Sequence, residues 1–101
     1  MNDSHAEAKG DAMTLVGRYS FVPNPCTTTP CLPGMALAVS VDGSSCFLAV
    51  DGELVCETRA WHGYLPRVDD VVRVTGARSE RLDVFGNPYC IIEVDTILPV
   101  Q

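Results

Sequence analysis

From Val68 to Val100 the chain reads VDDVVRVTGARSERLDVFGNPYCIIEVDTILPV, two alternating apolar runs separated by a polar, Gly-punctuated turn region. Val72 and Val74 stand against Arg73 and Thr75. Cys90, Ile92 and Val94 alternate with Ile91, Glu93 and Asp95. A period of two sends successive side chains to opposite faces of an extended backbone, so these runs predict half-buried β-strands. A chain whose best-patterned third is of this kind is constrained toward an all-β domain.

The same reading extends upstream. Thr14–Val22 predicts a first strand, with Leu15, Gly17, Tyr19 and Phe21 on one face and Gly17 marking a bend. Pro23–Gly34 is rich in proline, which cannot donate to a ladder, and reads as a long loop. Met35–Val41 and Cys46–Val50 predict two further strands around the turn Asp42-Gly43-Ser44-Ser45. Asp51-Gly52 signals another turn, with Glu53–Cys56 as a short strand. Glu57–Val68 fits neither period and reads as an irregular connection with a helical turn near Thr58–Trp61. Asp69–Ala77 and Tyr89–Leu98 are the fourth and fifth main strands, joined by a hairpin over Arg78–Asn87 in which Leu82 and Val84 are candidates to extend the ladder. Leu37, Val39, Leu48, Val72, Val74, Ile92 and Val94 are the expected core.

With 101 residues and 47% apolar content, the chain suffices for one domain with a real core. Residues 1–13 carry charge and no periodicity and are expected to form a disordered tail, leaving 14–101 as the domain. No run is long enough to span a membrane and no signal-peptide pattern is present. This predicts a soluble, cytoplasmic protein, or an exported one whose leader was removed. The net charge is −6, and the one lysine, Lys9, lies in the expected tail. Phosphate binding needs clustered Lys and Arg, so the acidic balance weighs against a nucleic-acid partner.

Five strands with Gly-rich turns close most economically as a small curled barrel. The run quoted above resembles the last two strands of an OB-fold domain, where a GD.V.V.G strand leads through a D..G..Y hairpin into an I.V..I strand. TLVGRYSFV resembles the first OB strand, with Gly17 at the bend. Asp70 stands where a glycine is commoner, and the link before strand four is short for the helix many OB-folds place there. The resemblance implies a five-stranded antiparallel OB-like barrel with that helix reduced or absent. It carries no functional signature, because OB barrels host unrelated roles.

The five cysteines divide into two groups. Cys26 and Cys31 sit in PNPCTTTPCLPG, where packing does not explain them. Their Cys-x4-Cys spacing is a weak metal signal and a better candidate disulfide. With Met35 nearby, thiolate and thioether together would suit a soft ion. Cys46, Cys56 and Cys90 lie in strand-like runs and read as small hydrophobes, with Cys46 and Cys90 expected to be buried, unbridged and slow to react. Trp61-His62-Gly63-Tyr64 is a candidate ligand-binding patch; its plainer reading is that Trp61 plugs the open end of the barrel. Phe47 is the aromatic of the middle strands and a candidate for stacking, against a plainer role in packing. Asp69-Asp70 reads as a charged turn, and Ser44 and Ser45 have no base arranged beside them. No nucleophile–base pair and no cofactor motif emerges.

These residues lead to a non-enzymatic OB-fold module that binds a protein partner or small ligand through the Cys26–Pro33 loop and the Trp61–Tyr64 link. Two other classes stand beside it: a single-stranded nucleic-acid binder using strands two and three, and a small exported protein holding a soft metal at the cysteine loop.

Overall fold

The computed structural model describes residues 11–23, 34–83 and 85–100. Its strands are β1 (Asp11–Pro23), β2 (Met35–Val41), β3 (Ser44–Val50), β4 (Glu53–Leu54), β5 (Val71–Leu82) and β6 (Pro88–Pro99). Among the described residues there is no helix, so the structure is all-β and the link before β5 has none. The expected helical turn near Thr58–Trp61 is therefore absent.

The pairing runs in a ring. β1 pairs with β2, β2 with β3, β3 with β6, β6 with β5, and β5 with β1. The ring leaves only the two-residue β4 at a margin, paired to β3. Every pairing is antiparallel, as expected, except β3–β6, which is parallel. A hairpin forces antiparallel neighbours; β3 and β6 are joined instead through β4, the link and β5, so they run the same way.

Turn chemistry places the hairpins. Asp42-Gly43 and Asp51-Gly52 all have positive φ, the geometry of two-residue hairpin turns whose twist matches the flanking strands. Ser44 and Ser45, expected in the first turn, belong to β3. β1 begins at Asp11, three residues before the expected start, because Asp11–Met13 pair with Gly76–Arg78 on a β5 that runs on to Leu82. Residues 1–10 lie outside the described residues.

The interior follows the predicted phases. Leu37, Val39, Leu48, Val72, Val74 and Ile92 are fully buried with Tyr19, Trp61 and Ile97, while Val94 is half-buried against them. The alternation in β6 breaks at a bulge: Thr75 pairs with Thr96, but Gly76 pairs with Val94, leaving Asp95 as the extra residue. Ile97 therefore turns inward and Leu98 outward. Burying nine such side chains at roughly 1.5–3 kcal/mol for each aliphatic one is the main force holding the ring.

Candidate functional site

The sequence singled out Trp61, His62, Tyr64 and Phe47, and the structure puts them in two separate places. Trp61 and Tyr64 exchange backbone hydrogen bonds, Trp61 N to Tyr64 O at 2.7 Å and Tyr64 N to Trp61 O at 3.1 Å. The turn between them has positive φ at both His62 and Gly63. This tight turn drives Trp61 into the core, 5% exposed. Its indole Nε1–H donates to Tyr19 Oη at 3.1 Å, and Tyr19 Oη also lies 3.3 Å from Thr58 Oγ1. The Arg59 guanidinium sits over the Trp61 ring, 4.8 Å from its centroid. Trp61 is thus packed into the core, and His62 is left exposed at the turn. Tyr64 is half-buried; desolvation first, then the Asp70 carboxylate and Tyr19, push its phenol above the ordinary range.

Phe47 lies on the outer side of β3, in phase with Ser45 and Ala49 and opposite to Leu48. There it is 7% exposed and packs with Ala36 and Ala38, with Val22, Leu54 and Tyr89 at the edge. Tyr89 meets it edge-on, centroids 5.8 Å apart at 87°. A ring enclosed in this way has no open face on which a base could stack. Beside it, the Asp51-Gly52 turn is clamped to the β5–β6 hairpin. Gly52 N–H donates to Glu93 Oε1 at 3.0 Å, and Arg81 Nη2 donates to Gly52 O. Of the arginines, Arg81 approaches this cluster through its register partner Tyr89, but it is engaged by that carbonyl; Arg18 and Arg73 lie on β1 and β5.

The feature that the sequence reading passed over is the tip of that hairpin. Phe85 is 80% exposed and Leu82 68%. The tip is nonetheless built. Asp83 Oδ1 accepts hydrogen bonds from Phe85 N–H and Asn87 N–H, both at 2.9 Å. Gly86 N–H donates to Asp83 O, Asp83 N–H donates to Asn87 O, and Gly86 holds a positive φ. An aspartate that binds backbone amides ahead of it, followed by a glycine able to take φ above zero, is a turn signature written in the sequence. It could have been used to place Phe85 on a fixed tip.

The cysteines depart from expectation. Cys46 and Cys90, expected buried and free, are half-buried and joined as a disulfide, with Cα atoms 4.6 Å apart. They are register partners across β3–β6, so parallel pairing brings together two thiols that are 44 residues apart in sequence. Cys56, read as a packed hydrophobe, is free and exposed, because Leu54 ends the short β4 and the chain leaves the sheet. Cys26 and Cys31, the candidate bridge and metal pair, lie outside the described residues. Among the described residues no group of His, Cys, Asp and Glu is arranged to hold a metal ion, and no helix is long and apolar enough to cross a membrane.

Compared with family models, with curated proteins and with solved structures, the chain matches none of them.

Proposed function

We propose that this chain is an OB-like barrel that acts as a non-enzymatic binding module for a protein partner, and that it engages that partner with the tip of the β5–β6 hairpin. The ring of five long strands supports the barrel reading, since OB-folds are five-stranded Greek-key barrels, and the loop between their last two strands is one of the places where they bind, beside the loop between the first two and the face of strands two and three. The observation that carries the functional reading is Phe85, an aromatic ring four-fifths exposed beside an aspartate, Asp83, that accepts from the Phe85 and Asn87 amides. Aromatic side chains concentrate binding energy at interfaces, and a preformed tip lowers the ordering cost of binding.

The single-stranded nucleic-acid alternative draws less support. Phe47 is enclosed, the net charge is −6, and Arg81 is occupied at Gly52. The Cys46–Cys90 disulfide favours the exported alternative over a cytoplasmic one, because such bridges persist in oxidising compartments.

The test compares proteins retained from the source organism's extract by the wild-type chain and by Phe85→Ser, both confirmed folded by circular dichroism. The reading expects a protein retained by the wild type and lost with the variant. Identical retention, or retention of oligonucleotide rather than protein, overturns it.

A further inference from the structure

On the other side of the ring, the outward residues of β1, β5 and the end of β6 form a continuous exposed face. Three rows follow from the register. Thr14, Thr75 and Thr96 make the first, with the Thr14 and Thr75 hydroxyls 3.5 Å apart. Val16, Arg73 and Leu98 make the second, and Arg18 with Val71 the third. Val16, Val71 and Leu98 are each between 43% and 48% exposed.

The composition of this face is unlike the rest of the molecule. The chain has 13 acidic residues against 7 basic, yet none of these eight outward positions holds a carboxylate, and two hold arginine. Carboxylates flank it: Asp69 and Asp70 before Val71, Asp95 in the bulge before Thr96, and Glu93, the register partner of Ala77 in the next row, whose carboxylate accepts from Gly52 N–H. Among the described residues the one ion pair is Arg78–Glu80, so no described carboxylate pairs with Arg18 or Arg73. Arg18 is held in place by donating to the Asp69 carbonyl at 3.2 Å, which positions its charge without cancelling it.

We propose that this face docks an acidic protein segment, one that lays apolar side chains on Val16, Val71 and Leu98 and sets carboxylates against Arg18 and Arg73. The inference is independent of the hairpin reading and concerns a different surface. Charge complementarity selects the partner. A second copy of the chain docked through the same face in a two-fold dimer would bring four arginines together with no carboxylate between them. A nucleic acid would find two cations and no aromatic ring for stacking, where such partners need several of both. Arginine among aliphatic residues is the composition of a protein interface.

The test uses two labelled synthetic peptides, one alternating leucine and glutamate and one alternating leucine and lysine. Fluorescence anisotropy is read against the wild-type chain, Arg18→Glu/Arg73→Glu, and Val16→Thr/Leu98→Thr; the last pair keeps strand-compatible residues at exposed positions. The acidic peptide should bind the wild type at least about tenfold tighter than the basic one, and the arginine reversal should invert that order. The threonine variant should weaken binding several-fold with the order kept. Amide shifts on adding the acidic peptide should map to β1, β5 and the end of β6. Equal binding of both peptides, indifference to the arginine reversal, or shifts elsewhere would overturn the proposal. So would sedimentation showing an oligomer that the Arg18→Glu/Arg73→Glu change dissociates, or a labelled oligothymidine binding more tightly than the acidic peptide.

Discussion

The ring closes through two seams that are held by different means. The β1–β5 seam is antiparallel and runs through eight registered pairs, from Asp11 with Arg78 to Arg18 with Val71. The β3–β6 seam is parallel and has four, from Cys46 with Cys90 to Ala49 with Glu93. The long seam sits beside Gly17, where the absence of a side chain lets β2 come close. The short seam is fastened at its first pair by a covalent bond. Parallel pairing is slightly weaker per residue, and four pairs give little to hold with. A short seam of this kind gains most from a cross-link, and that is where the disulfide lies.

The largest expected effect comes from cutting that bond. The bridge spans 44 residues, and closing a loop of that size removes unfolded-chain entropy equivalent to about 4 kcal/mol. Cys46→Ala/Cys90→Ala, or reduction of the wild type, should lower the melting temperature by roughly 20 °C in calorimetry. Native alkylation with mass mapping should label Cys56 at once and Cys46 and Cys90 only after reduction. A melting temperature indifferent to reductant would mean that the parallel seam holds without its bond.

The antiparallel side should break by the opposite route, through addition of an atom. A Cβ on Gly17 would lie 2.5 Å from the Ser40 carbonyl oxygen and 2.7 Å and 2.8 Å from methyls of Val41 and Val39. β1 passes from β5 to β2 here, since Arg18 pairs with both Val71 and Ser40. Gly17→Ala should therefore cost about 1–3 kcal/mol as overpacking, read as a shift of the denaturant midpoint at constant m. Gly76 in the bulge is at least as tight, against the Glu93 carbonyl and an Ile92 methyl, and Gly76→Ala should behave alike.

The two seams also differ in how far they could be read from the sequence. Val72, Val74 and Ile92 announced themselves, because alternation against polar neighbours is a local signal. So did Gly17, as a break within an otherwise regular strand. The continuation of β5 beyond Ala77 through Arg78–Glu80 was hidden, since Arg78, Ser79 and Glu80 are exposed and carry no apolar period. Ile97 was hidden by a bulge that reverses the phase after Val94. The disulfide was hidden because its partners meet only through a parallel register between distant strands, whereas the closely spaced Cys26 and Cys31 advertise a bridge locally. In the candidate site, a packing role for Trp61 was legible, and the enclosure of Phe47 by Tyr89 was not, since it depends on β3 and β6 being neighbours.

Between the seams, the interior is spanned by the hydrogen bond from Trp61 Nε1–H to Tyr19 Oη. Tyr19→Phe removes the acceptor and leaves a buried indole donor unsatisfied, which should cost about 1–3 kcal/mol. Trp61 is the sole tryptophan, so its fluorescence reports the site directly. The variant should shift the emission maximum while the far-ultraviolet spectrum stays that of a β protein. A cost below about 0.5 kcal/mol would mean that packing alone seats the ring.

The smallest expected effect lies where the β5–β6 hairpin runs beyond both seams. Phe85 has four-fifths of its surface in water, so Phe85→Ser removes little burial and should leave stability within about 0.5 kcal/mol of the wild type. Asp83 is the internal control. Its carboxylate holds the amides of Phe85 and Asn87, and Asp83→Ala should cost about 1 kcal/mol and speed amide exchange at the tip. The contrast decides what the tip is for. If the aromatic can be removed at no cost to the fold while the aspartate cannot, the aspartate serves the shape of the tip and the aromatic serves something outside the molecule. If Phe85→Ser instead destabilises by more than about 1 kcal/mol, the ring is packed in solution and the hairpin is an extension of the core.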